Sequence, residues 1–213
     1  RTVRARVSES WGQVPLHFER NEGQADSQVK FLARGSGYSL FLTPTEAVLA
    51  LKDRTSGTAV LRLKLDGANP RPHISGREAL PGRINYFVGN DHSAWRTNVP
   101  TYARTDYRDV YPGVDLVYYG NQRQLEYDFV VAPGANPRRI RMAFEGARRM
   151  EIDAAGDLVL EVAGGSVRQQ RPIVYQEIDG ARKEIAGRYV MTGKRQVGFE
   201  VAAYDASLPL VID

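Results

Sequence analysis

Glu126 and Asp128 stand two residues apart in Gln124-Leu125-Glu126-Tyr127-Asp128-Phe129-Val130-Val131. In a strand, that spacing puts both carboxylates on one face and sends Tyr127 and Phe129 to the other. Asp115 lies in the preceding run, Val114-Asp115-Leu116-Val117-Tyr118-Tyr119. A hairpin turning at Gly120-Asn121-Gln122 brings the three acids near one another. Two carboxyls ~5–10 Å apart can act as acid and base on a glycosidic bond. The same oxygens can instead hold Ca²⁺, the one cofactor this sequence suggests. The plain alternative is a solvated strand face whose charge is balanced by Arg96, Arg104 or Arg123. A second candidate is aromatic: Trp95, Tyr102 and Tyr119, with Tyr107, Tyr111 and Tyr118 nearby, have the residue types of a sugar-stacking platform. In Val117-Tyr118-Tyr119, alternation sends at least one ring inward, so core packing competes with that reading.

Other chemistry finds little footing. The chain has no Cys, which removes disulfides and thiolates. His17, His73 and His92 are far apart and form no metal-ligand spacing; only His92, beside Asp91 and near Trp95, invites inspection. There is no Gly-x-Ser-x-Gly, and Ser166 falls in a turn. Gly35-Ser36-Gly37 and Gly164-Gly165 follow strands but open no helix, so neither cradles a phosphate. Together these features point away from an enzyme.

The elements that must position these residues are short strands. Leu61, Leu63 and Leu65 alternate with Arg62 and Lys64, a half-buried strand. Asp179-Gly180 is a hairpin dipeptide, and Asp91 suits the cap of one helical turn at 91–95. Leu16 to Gln24 reads as an entry strand followed by a turn, a strand is expected over 139–144, and further runs recur about every ten residues between Gly and Pro. No long 3.6-residue period, βαβ alternation or 20–50-residue repeat is present. The expected fold is all-β, mainly an antiparallel β-sandwich, with two packed β subdomains as the alternative. Residues 1–15 read as irregular, 16–66 as a first sheet or subdomain, 67–83 as a Gly/Pro-rich linker or loop, and 84–213 as the remainder.

The 213 residues, 42% hydrophobic and 25% charged, suffice for a packed core. Net charge is +4 at pI about 9.4, with Arg scattered among Asp and Glu, so no nucleic-acid-binding block forms. No run is long and apolar enough for a membrane span. The chain begins with Arg1, which suggests a processed protein or an excised domain.

Several segments carry a family resemblance: Phe18-Glu19-Arg20-Asn21-Glu22-Gly23-Gln24, Phe31-Leu32-Ala33-Arg34-Gly35, Phe41-Leu42-Thr43-Pro44-Thr45-Glu46-Ala47-Val48 and Asn85-Tyr86-Phe87-Val88-Gly89-Asn90-Asp91. The run from Trp95 to Val131, then Pro172-Ile173-Val174-Tyr175-Gln176 and Leu210-Val211-Ile212-Asp213, complete it. From about residue 16 onward the chain resembles the N-terminal β-rich domain that precedes SBBP-type β-propeller repeats in large exported bacterial proteins. The resemblance implies no activity. It implies a signal peptide upstream, repeats downstream as the partner, and a location outside the cytoplasm: extracellular, cell-surface or periplasmic. Glu19-Arg20-Asn21-Glu22 is more charged than the family pattern, which adds charge to a loop. The leading expectation is a non-catalytic structural or binding module. The alternatives are a carbohydrate-binding or carbohydrate-active domain on the 95–131 face, and a self-association module that pairs strand edges, with residues 1–15 as the donated segment.

Overall fold

A computed structural model describes residues 16–35, 37–53, 57–121 and 124–213. The segment 1–15, together with Ser36, residues 54–56, Gln122 and Arg123, lies outside the described residues. The first five strands are β1 (Phe18–Arg20), β2 (Phe31–Gly35), β3 (Tyr38–Leu42), β4 (Glu46–Asp53) and β5 (Gly57–Leu65). Long strands β6 (His73–Tyr86) and β7 (Arg96–Tyr111) follow, then β8 (Val114–Asn121), β9 (Gln124–Val131) and β10 (Met142–Glu145). Next come β11 (Arg149–Ile152), β12 (Leu158–Val162), β13 (Gly165–Gln169), β14 (Val174–Ile178) and β15 (Ala181–Ile185). The last three are β16 (Gly187–Gly193), β17 (Gln196–Val201) and β18 (Leu210–Ile212). Two single 3-10 turns, His92–Ala94 and Pro137–Arg139, are the helical elements among the described residues.

The fold is all-β and antiparallel. Fifteen strands form one sheet in the order β15-β14-β18-β9-β8-β7-β1-β2-β3-β4-β5-β10-β17-β16, with β6 on β7. The sheet curls until it nearly closes into a barrel. Its two ends, β15 and β16, are joined through Ala186 alone, whose carbonyl accepts from the Ala202 N–H at 2.9 Å. Strands β11, β12 and β13 form a separate small sheet. Its Leu158 and Leu160 are fully buried in the same core as Phe18, Phe129, Phe144 and Tyr107. Each such large apolar side chain contributes ~1.5–3 kcal/mol by leaving water. One core therefore serves residues on both sides of the expected 67–83 boundary, and the pairing of β5 with β10 carries the sheet across it.

Alternation places side chains as the sequence implies. Leu61, Leu63 and Leu65 are buried. Arg62 and Lys64 point outward to Glu46, at 3.3 Å, and to Glu145, at 2.7 Å. Asp179 and Gly180 both have positive φ (52° and 77°) between β14 and β15, as a primed hairpin turn requires. Asp91 caps the 92–94 turn by accepting from the Ser93 N–H. On the outer edge of β15, Arg182, Lys183 and Glu184 supply charges of the kind that discourage edge-to-edge pairing.

Two local expectations change. The Gly/Pro stretch 67–83 is strand from His73 onward. It is tolerated because β6 pairs only with β7, and Pro81 falls in the irregularity between Ala79 and Arg83, where no ladder N–H is needed. The strand expected over 139–144 begins only at Met142. Asn136 caps a 3-10 turn by accepting from the Arg138 N–H, and Pro137 starts that turn.

The Phe18–Gln24 signature is structural. The Asn21 side-chain oxygen accepts from the Gly23 and Ala25 N–H groups, at 3.0 and 3.2 Å. Its amide donates to the carbonyls of Ala25, Asp26 and Val29. Gln24 donates to the Arg20 carbonyl and accepts from the Glu22 N–H, both at 2.7 Å. One Asn and one Gln thus replace the ladder hydrogen bonds that the loop lacks.

Candidate functional site

Strands β8 and β9 pair as the hairpin expected from sequence, with Tyr119 opposite Glu126, Val117 opposite Asp128 and Asp115 opposite Val130. Directly opposed residues share a face, so Asp115, Tyr119, Glu126 and Asp128 all lie on the outer side of the curled sheet. Sharing a face does not make them one site. The Asp115 carboxylate accepts from the Asp109 N–H at 2.8 Å. There it steadies the irregularity in β7 between Tyr107 and Tyr111, where Asp109 takes a φ of 54°. Asp115 therefore does a backbone task, and Asp128 belongs to a different group.

Asp128 accepts a hydrogen bond from the Tyr119 hydroxyl at 2.8 Å. The same hydroxyl lies 3.5 Å from the Asp213 carboxylate. Asp213 follows β18, which is inserted between β9 and β14. Burial pushes the Asp128 carboxyl up to about 6, and the negative charges of Asp213 and Glu126 push the same way. The Tyr119 hydroxyl and Arg104 pull it back. Burial and the Asp128 contact likewise raise the Tyr119 phenol. Arg104 lies over the Tyr119 ring at 5.2 Å and reaches Glu78 at 3.1 Å. On the other flank Arg182 lies 4.3 Å over the Tyr175 ring, whose phenol feels both Asp128 and Asp213. The result is a carboxylate pair held by one phenol and bracketed by two Arg–Tyr stacks.

The three residues expected to form an aromatic platform are not brought together, because three different contexts claim them. Tyr102 packs edge-on against Phe31, with ring centroids 5.8 Å apart, over the bare backbone of Gly76. Tyr119 has a ring face covered by Arg104. Trp95 lies on the β6–β7 connection, 3.9 Å from the His92 ring and 5.0 Å from that of Phe87, its Nε1 donating to the Gly89 carbonyl. His92 is thus an aromatic neighbour. Of the Arg residues expected to balance the acids, Arg104 does approach them. Arg96 instead donates to the Ser93 and Trp95 carbonyls, and Arg123 lies outside the described residues. Among the described residues no three His, Cys, Asp or Glu side chains, Asp115, Glu126 and Asp128 included, are grouped so as to hold a metal ion. No helix among them is long and apolar enough to cross a membrane.

Sequence reasoning missed Asp213, Tyr175 and Arg182. The available signal was alternation in Leu210-Val211-Ile212-Asp213: Leu210 and Ile212 are buried, which puts Asp213 on the outer face. It also took Glu19 for a loop charge. Glu19 lies in β1, is 2% exposed, and is held by the Tyr86 hydroxyl, with the Arg34 guanidinium 3.7 Å away. Burial and the Glu19 carboxylate push the Tyr86 phenol up to about 12.

The fold and this face define an all-β module: a near-closed antiparallel sheet with an acid pair at its terminal strand. Residues 18–213 match a family described as a domain of unknown function (DUF7948), and the chain belongs to that family. No curated protein and no solved structure matches it.

Proposed function

We propose that this chain is a non-catalytic structural or binding module of an exported bacterial protein, placed ahead of β-propeller repeats and working outside the cytoplasm. The resemblance of its motifs to such N-terminal domains supports the context. The observation that carries the non-catalytic reading is the separate engagement of the acids: Asp115 holds a backbone N–H and Asp128 holds the Tyr119 hydroxyl at the terminal strand. A glycosidase pair instead needs two carboxyls facing one bond. Incubated with aryl glycosides and soluble polysaccharides at about pH 5 and about pH 7.5, the chain is expected to release no product above buffer. Turnover that Asp128→Asn abolishes would overturn the reading.

A second reading, carbohydrate binding, is favoured by one observation. Phe87 and Val88 are 61% and 70% exposed beside Trp95, which puts a cluster of apolar surface on the 87–95 connection. Exposed apolar clusters of this kind are common contact sites. If it holds, a glycan array gives binding that Phe87→Ser weakens by about tenfold or more. An array without hits removes it for the sugars tested.

A further inference from the structure

We propose that the Tyr119–Asp128–Asp213 junction is an acid-strengthened latch that holds the terminal strand β18 more tightly as pH falls. Strand β18 is only three residues long, yet it joins β9 to β14 and so makes the sheet continuous. Its ladders are short: Leu210, Val211 and Ile212 opposite Val131, Val130 and Phe129, and Val174 and Tyr175 on the other side. Beyond Ile212, Asp213 exchanges backbone hydrogen bonds with Ile173 at 2.7 and 2.9 Å. A three-residue strand has few hydrogen bonds to lose, so local opening there is sensitive to small charge effects.

The charge at this point is unfavourable when both acids are ionised. Asp128 and Asp213 both approach the Tyr119 oxygen, which has one proton to donate. The other groups around Asp128 are Glu126 on β9, Arg104 on β7, Tyr119 on β8 and Tyr175 on β14. Arg104 is shared with Glu78 of β6, and Arg182 of β15 sits over Tyr175. The Arg104 guanidinium, which favours the Asp128 carboxylate, is thus shared with Glu78. Protonating Asp128 removes the repulsion from Asp213 and supplies an O–H donor between the strands.

Burial and the neighbouring acids raise the folded-state value to about 6, above the ordinary carboxyl value near 4. The folded state therefore takes up the proton first. Stability is gained as pH falls through about 6, is fully present below the unfolded value, and is lost again as pH rises.

Hydrogen exchange of the 205–213 region in the full chain tests this, with rates corrected for intrinsic pH dependence. Protection is expected to be about three- to tenfold greater at about pH 5 than at about pH 7.5, the upper end being the full linkage and the lower allowing for solvent screening. Asp128→Asn, nearly isosteric, should bring that ratio to about one. Asp213→Asn should shrink it by removing the facing charge, while circular dichroism confirms that both variants fold. A wild-type ratio near one, or an undiminished ratio in either variant, would overturn the proposal.

Discussion

Replacing Gln176 with Ala is expected to destabilise the protein by about 3–4 kcal/mol, or about 10 °C in Tm for a domain of this size. Gln176 is 1% exposed on β14. Its side-chain amide donates to the Asp205 carbonyl at 2.7 Å and to those of Leu208 and Pro209 at 3.3 Å. Its oxygen accepts from the Asp205 N–H at 3.0 Å. One side chain thus satisfies the Asp205 N–H and the carbonyls of Asp205, Leu208 and Pro209 on the approach to β18. Ala leaves a void as well as unpaired polar groups, and unmade buried hydrogen bonds cost more than made ones contribute. Urea denaturation measures the loss. Since the approach to β18 is released first, the 205–213 region should lose exchange protection before the rest of the sheet. A loss below about 1 kcal/mol would mean that the segment is anchored by other contacts.

Gly146→Ala should cost about 3–5 kcal/mol. Gly146 follows β10 with a φ of 92°, which disfavours a side chain by itself. A Cβ there would also run into the carbonyl oxygen of Val60. Val60 cannot withdraw easily, because β5 is held between β4 and β10, with Val60 opposite Ala50. Gly134 provides the comparison. Its φ is 75° but the space around it is open, so Gly134→Ala should cost only about 1–2 kcal/mol. Parallel urea melts of the two variants separate the contact from the backbone preference. Equal losses would show that the Val60 contact relaxes without cost.

Both residues mark where sequence reading stops. Gln176 sits in Pro172-Ile173-Val174-Tyr175-Gln176, legible as a strand and as part of a family signature, yet its partners are 29–33 residues away. The same holds for the acids. Alternation puts Glu126 and Asp128 on one face, and the β8–β9 hairpin puts Asp115 on that same face. It does not distinguish an acid that holds a backbone N–H from one that faces another carboxylate. That distinction depends on the bend in β7 and on the arrival of β18 between β9 and β14. The aromatic platform did not assemble for a related reason: Trp95 lies on the β6–β7 connection, Tyr102 on β7 against Phe31, and Tyr119 on β8 under Arg104, and alternation within one segment does not say which neighbours each ring meets.

What the sequence determined by itself follows from period and punctuation. Alternating Leu and charged residues in β5, the Asp179-Gly180 hairpin, the Asp91 cap and the 124–131 face all depend on neighbours a few residues away, and so an all-β antiparallel fold is written locally. The tertiary structure decided the rest: the curling of the main sheet until it nearly closes, strand β6 in place of a linker, and the meeting of Asp128 with Asp213 across 85 residues of chain. Long-range pairing sets these outcomes, because hydrogen-bond geometry and burial select among registers that local alternation alone leaves equivalent.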